Sequence, residues 1–205
     1  MITETACFTG HRRLLPEKLP SVSASLACAI AGAYDKGYRR FMCGGALGFD
    51  TLAALEVLKF RVSHLDARLV LVLPCEDQAS RWPEKDRSVY RSIRDRADET
   101  VVLSPVYYHG CMQTRNRYMV DHSSLCICYL YSLRGGTAYT VRYAVFRDIA
   151  VLNLAMEQAR SGLTLKENPC CSTFISPSAG KSAVTVLLFP SPSRKLRQKH
   201  TSACS

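Results

Sequence analysis

The 205-residue chain is predicted to fold as an α/β, Rossmann-like three-layer sandwich with a mainly parallel sheet. Three observations predict it. Short apolar runs alternate with amphipathic stretches of helical length from residue 5 to residue 154, the pattern of strand, crossover helix and next strand. One run, Arg68 to Leu73 (RLVLVL), is apolar without alternation, as a parallel strand covered on both faces requires. Glycine pairs, Gly44-Gly45 and Gly135-Gly136, stand where a strand hands over to a helix. There the backbone must turn sharply, and the first helical turn leaves N–H groups unpaired.

Each element follows from local signals. Thr5 to Thr9, closed by Gly10, is strand one, and a helix runs from Ser23 to Tyr34 and is closed by Gly37. Arg40 to Cys43 is strand two. Gly48 to Val62 carries Leu52, Leu55, Val57, Leu58 and Val62 near helical spacing. Strand three ends at Pro74 and is followed by a polar helix, Glu84 to Ala97. Val101 to Leu103 is strand four, Met112 to Ser123 a helix, Leu125 to Tyr131 strand five, Thr137 to Phe146 a helix and Ile149 to Leu154 strand six. Ligands of such sheets bind at the carboxyl ends of the strands. The loops beginning at Gly10, Gly44, Pro74, Ser104 and Gly135 are therefore expected to share one crevice.

From about residue 159 periodicity fails, and Ser, Pro, Lys and Cys predominate. The domain is expected to span 1–158, and 159–205 to be a basic, mostly disordered tail in which only Ala183 to Phe189 (AVTVLLF) has strand character. The net charge of +10 divides unequally. Residues 1–157 carry 20 Lys and Arg against 16 Asp and Glu, and the remainder 7 against 1. The folded part is thus only mildly basic, which argues against a dedicated nucleic-acid binder. The ten cysteines are scattered and often sit within apolar runs. With no charged segment leading into an apolar one at the N-terminus, they predict reduced thiols in a cytoplasmic protein. Cys126 and Cys128 share a strand face as small hydrophobes, and the five histidines lack ligand spacing, so no metal is expected. No apolar stretch approaches the roughly 20 residues that span a bilayer, and no membrane partner is expected.

Chemistry concentrates in five places. Thr9-Gly10-His11-Arg12-Arg13 combines a hydroxyl, an imidazole and guanidinium groups suited to a phosphate or ribose; the alternative is a solvated basic loop. In Gly44-Gly45-Ala46-Leu47-Gly48-Phe49-Asp50-Thr51 the small residues leave space for a ligand against the main chain, and Asp50 serves either a ribose hydroxyl or a helix cap. The spacing matches neither the dinucleotide fingerprint nor the P-loop. Gln78, Arg81 and Trp82 offer an amide, a cation and a stacking ring for a base, or a Trp packing the sheet edge. Arg115 and Asn116 follow Tyr107 and Tyr108; Arg115 and Met119 share a helix face, from which Asn116 and Asp121 are offset. Gly135, Gly136 and Thr137 open the fifth helix, whose positive end favours an anion.

FTGHR at 8–12, GGALGFDTLAA at 44–54, QASRW at 78–82, RNRYMVD at 115–121 and GGTAYTVRYA at 135–144 together resemble the YpsA-like family of the SLOG superfamily, in order, over residues 5 to 155. The resemblance implies a Rossmann-like fold that binds a nucleotide or nucleotide-derived ligand, ADP-ribose-like compounds included, without assured catalysis and with no certain cofactor. It implies pocket roles for Thr9, Gly10, Arg12, Gly44, Gly45, Asp50, Gln78, Trp82, Arg115, Asn116, Gly135, Gly136 and Thr137. Two relatives of the fold set alternatives. Lysine-decarboxylase-like nucleotide hydrolases carry P-G-G-x-G-T-x-x-E, and Thr140 stands here where that acid is required, which disfavours N-glycosidic cleavage unless Asp50 or Asp121 substitutes. The DNA-processing proteins bind single strands; for that role Arg12, Arg13, Arg81, Arg115, Arg117 and Tyr118 would form the groove.

Overall fold

The computed structural model describes residues 2–155; the 158 boundary, the tail and the Ala183–Phe189 run lie outside the described residues. The elements are β1 Thr5–Gly10, α1 Leu19–Asp35, β2 Arg40–Cys43, α2 Phe49–Phe60, β3 Arg68–Leu73, α3 Glu84–Arg96, β4 Glu99–Val102, α4 Cys111–Asp121, β5 Leu125–Tyr129, α5 Gly135–Phe146 and β6 Ala150–Asn153. Every strand pairing is parallel, and the strand order is β4-β3-β2-β1-β5-β6. The chain moves outward from β1 through β2, β3 and β4, then returns to the other side of β1. At the strand ends a switch point therefore lies between β1 and β5, where successive connections leave toward opposite faces.

The two faces are buried separately. On one, Phe8, Phe41, Leu69, Leu71, Leu73 and Ile127 pack with Val22, Leu26 and Ile30 of α1, Ala53 and Val57 of α2, and Ile93 of α3. On the other, Cys7, Met42, Val70, Val72, Cys126 and Cys128 pack with Met119 and Val120 of α4 and Ala138, Val141 and Ala144 of α5. Adjacent residues of β3 thus serve opposite layers, which is why RLVLVL needs no polar alternation. The seven cysteines of the described residues are free, and all but Cys28 are buried. Burial pushes the Cys128 thiol up to about 12, which leaves it a small apolar filler.

Boundaries shift where a specific bond decides. Helix α1 starts at Leu19 rather than Ser23 because Pro20 occupies its first turn, where a missing N–H costs nothing. Strand β4 begins two residues before the predicted Val101. Just ahead of it, Asp98 accepts the Leu69 N–H at 2.8 Å and pairs with Arg61 at 2.5 Å, fixing the start of that strand against β3. Strand β5 ends at Tyr129, short of the predicted Tyr131, because the Tyr131 amide turns to His11.

Candidate functional site

At the switch point the loops after β1, β2, β3 and β5 and the first turns of α4 enclose a cleft of ≈ 390 Å³, near the lower end of the roughly 300–1,000 Å³ typical of small-molecule sites. Both glycine junctions open on it, but they differ in character. At the start of α2 the protein supplies its own anion. Asp50 is buried, and its Oδ2 accepts the Ala46 N–H at 3.4 Å and lies 3.9 Å from Nη1 of buried Arg115. Burial pushes the Asp50 carboxyl above its ordinary value, opposed by the Arg115 charge and by the backbone N–H groups of Ala46 and Gly44. Arg115 in turn donates Nη1 to the Gly44 carbonyl and Nε to Asn116 Oδ1 at 2.8 Å. Gly44 is required for this close approach, since a Cβ there would fall on the guanidinium and 2.7 Å from Asp50 Oδ2.

The attraction of two charges about 4 Å apart is about 4 kcal/mol at an effective dielectric of 20, comparable with the several kcal/mol of desolvation each ion incurs. The pair therefore adds little net stability and instead fixes two polar groups in the cleft floor. Gly48, at φ +83, closes the turn, and a Cβ there would press on the Arg12 carbonyl and come within 2.8 Å of the His11 oxygen. Left-handed strain and overpacking are each worth about 1–3 kcal/mol. Gly48→Ala is expected to lower the unfolding free energy by about 3 kcal/mol, read from urea denaturation, and a loss below about 1 kcal/mol would contradict this packing.

The start of α5 is open. No side chain caps it, and Arg134 at the cap position is exposed. A Cβ on Gly135 or Gly136 would meet nothing within 4 Å. Gly135, Gly136, Thr137 and Arg134 all line the cleft, so the donors of the first turn and the positive end of the helix face it with a cation beside them. Across the cleft, Gln78 donates Nε2 to the Gly45 carbonyl at 2.9 Å, which fixes its amide. Its Oε1 is buried without a partner. Trp82 packs edge-on against Tyr90, with ring centroids 5.4 Å apart, and the Arg12 guanidinium lies 5.8 Å from the Trp82 ring.

His11 joins the two sides of the switch point. Its Nε2 accepts the N–H of Tyr131 at 3.4 Å and of Ser132 at 3.3 Å, its ring lies 4.0 Å from the Tyr131 ring, and the Tyr131 hydroxyl donates to the Arg13 carbonyl at 3.0 Å. Only a neutral imidazole accepts at Nε2, and burial holds the group below its ordinary 6.5. A depressed histidine contributes its stability above pH 6.5, and that contribution is lost as pH falls through the folded-state value. Amide exchange at Tyr131 and Ser132 is expected to accelerate, relative to core amides, on going from pH 7.5 to pH 5. Constant relative protection would contradict the latch.

Thr9, Gly10, His11, Arg12, Ala46, Asp50, Gln78, Trp82, Arg115, Asn116, Gly135, Gly136 and Thr137 are brought together around the cleft. Gly44, Gly45, Gly48 and Arg81 are not among its lining residues; the three glycines shape the loop behind it, and Arg81 is exposed. Phe8, Leu47, Met112 and Arg134 also line it. Arg134 was detectable as the cation directly preceding a glycine pair, whereas nothing in the local sequence marks Phe8 or Met112. Thr140 is buried and donates to the Gly136 carbonyl at 2.9 Å. Asp121 accepts the Tyr143 hydroxyl and pairs with Arg147 at 2.6 Å, and does not line the cleft. Asp50 is the one carboxylate among the lining residues. Among the described residues no cluster of three or more His, Cys, Asp or Glu is placed to hold a metal, and no helix is long and apolar enough to cross a membrane.

An all-parallel sheet with its cleft at the switch point defines a Rossmann-like α/β protein. The chain belongs to the YpsA family, described as the YspA SLOG family, whose model matches residues 15–148. A UPF0398 protein of Halalkalibacterium halodurans is 30% identical over 122 residues, 58% of this chain and 65% of that protein. The SPbeta prophage-derived protein YoqJ of Bacillus subtilis is 26% identical over 117 residues, 51% of this chain and 68% of its own. Two solved structures share the fold. DNA processing protein A of Streptococcus pneumoniae has a TM-score of 0.55 at 15% identity, covering 78% of this chain and 57% of that one. The Helicobacter pylori protein of the same name, whose structure is described with its single-stranded DNA binding mode, has 0.52 at 20%, covering 77% and 72%.

Proposed function

We propose that the chain binds or senses a phosphate-bearing nucleotide or nucleotide-derived ligand in this cleft. The observation that carries the reading is the uncapped start of α5, opening with Arg134 into the same space as Trp82. The helix start suits the phosphate and the ring suits the base. Binding without hydrolysis is the expected behaviour, because Thr140 stands where the related hydrolases carry their acid and offers no carboxylate. Isothermal titration of the full chain with nucleoside mono- and diphosphates and ADP-ribose is expected to give at least one sub-millimolar Kd. No heat from any member at millimolar concentration would contradict the reading, and release of free base on incubation would contradict the absence of catalysis.

Single-stranded DNA is the second reading, supported by the fold shared with the Helicobacter pylori protein. The six side chains it calls on divide. Arg115 is buried on Gly44, Arg117 donates to Tyr139 Oη at 2.5 Å and Tyr118 stacks on His122, while Arg12, Arg13 and Arg81 are exposed. Three phosphate contacts would give a log–log salt slope of roughly −2. An oligonucleotide affinity that ignores salt would remove this reading.

A further inference from the structure

We infer that the Asp50–Arg115 floor of the cleft is a seat for a pentose diol, the carboxylate accepting from one sugar hydroxyl and the guanidinium donating to its neighbour, so that the protein takes ribonucleotides and rejects their 2′-deoxy counterparts. The inference rests on the nucleotide reading above and adds to it the identity of the sugar. Its basis is what the buried pair leaves unused. Both residues line the cleft, with the Arg115 side chain only 6% exposed and that of Asp50 8%. Arg115 gives Nε to Asn116 and Nη1 to the Gly44 carbonyl, and its Nη2 has no hydrogen-bond partner among the described residues. The Ala46 and Gly44 N–H groups engage two of the roughly four acceptor sites of the Asp50 carboxylate. Neither group has a polar atom sealed in the core without a partner. The unused donor and the unused acceptor therefore open on the cleft side by side.

The charges of the pair face each other at 3.9 Å. A phosphate brought to this floor meets Asp50, and an ammonium meets Arg115, so each like charge offsets the attraction of the other member. What the floor suits is a neutral group that donates and accepts at once. Neighbouring hydroxyls do both, presenting an O–H to the carboxylate and a lone pair to Nη2. The strand order places that group in the middle of the ligand. Trp82 follows β3, Asp50 follows β2, Gly10 ends β1 and Gly135 follows β5, and these strands lie in the order β3-β2-β1-β5. The Asp50 junction thus stands between the ring that suits the base and the helix that suits the phosphate, and the pentose is the part of a nucleotide that joins the two. An analogue lacking a hydroxyl leaves a buried charged group unpaired, which is why such sites reject it strongly. DNA lacks the 2′-hydroxyl, so the same floor separates the nucleotide reading from the single-strand one.

The test is isothermal titration of the full chain with AMP, GMP, CMP, UMP and the 2′-deoxy counterpart of each, repeated with Asp50→Asn, whose fold is checked by its thermal melt. For every base that binds, wild-type protein is expected to hold the ribonucleotide at least tenfold more tightly than the deoxyribonucleotide. Asp50→Asn is expected to weaken the ribonucleotide to nearly the level of its deoxy counterpart and to leave the latter almost unchanged. The Ala46 N–H and Arg115 both call for the amide oxygen, which turns the amide N–H groups to the cleft and replaces an acceptor by a donor. Ribo and deoxy forms bound equally by the wild type would overturn the inference and leave the nucleotide reading standing. So would a ribose preference that Asp50→Asn leaves intact. Absence of binding by all eight ligands would overturn both. Should Asp50→Asn fail to fold, the wild-type ratios of ribo to deoxy forms decide alone.

Discussion

Replacing Arg115 by alanine is expected to destabilise the protein by about 3–5 kcal/mol, the range for stranding one member of a buried ion pair. The substitution removes the cation facing Asp50, empties the space that Gly44 leaves for it, and strips the Gly44 carbonyl of its donor. Most of the loss comes from the carboxylate left behind, which two further measurements isolate. The double variant Arg115→Ala, Asp50→Asn is expected to recover part of the deficit in urea unfolding, because the stranded group is then neutral. The deficit of the single variant is also expected to shrink on acidification. Burial already raises the Asp50 carboxyl, so the native state binds a proton more readily than the unfolded chain, and stability relative to wild type rises as pH falls through that raised value. A loss below about 1 kcal/mol, or one independent of pH, would mean that Asp50 does not depend on Arg115.

Gly136→Asp is expected to abolish binding at α5 while leaving the fold as stable as before or slightly more so. The position has open space beside it and lies in the first turn of an uncapped helix. A carboxylate there is favoured by the helix dipole by about 0.3–1 kcal/mol. The same carboxylate occupies the anion seat at the start of α5. Affinity for a phosphate-bearing nucleotide should fall by about 100-fold or more, equivalent to about 2.7 kcal/mol, with the melting temperature unchanged or raised. Loss of both binding and stability would point to a structural role for Gly136. Undiminished binding would remove the phosphate from α5.

Much of this arrangement is legible in the sequence, because strand and helix periods are local properties. The run RLVLVL declared a two-faced strand, and both glycine pairs stand at strand-to-helix junctions that open on one cleft. What could not be read was which partner each polar group would choose. Nothing near Asp50 in sequence announces that it will face Arg115, sixty-five positions later, across the strand order. Nor does the motif around His11 reveal that its imidazole will tether a loop more than a hundred residues away. The arginines show the same limit. Arg12, Arg115 and Arg117 read alike only as cations for a single-strand groove, and only tertiary packing makes the first a rim residue over Trp82, the second a buried prop for Gly44 and the third a partner of Tyr139. The start of β4 moved for the same reason, since Asp98 acts through the Leu69 N–H, a partner it gains only after folding, whereas Pro20 marks the start of α1 by a local signal.

The most direct test is a ¹⁵N–¹H NMR titration of the full chain with AMP, following the backbone amides at the two glycine junctions. The amides of Gly136 and Thr137 are expected to show the largest saturable shifts, with that of Ala46, already facing Asp50, moving much less. Saturable binding that leaves Gly136 and Thr137 unmoved, or that shifts the α2 junction instead, would contradict the account.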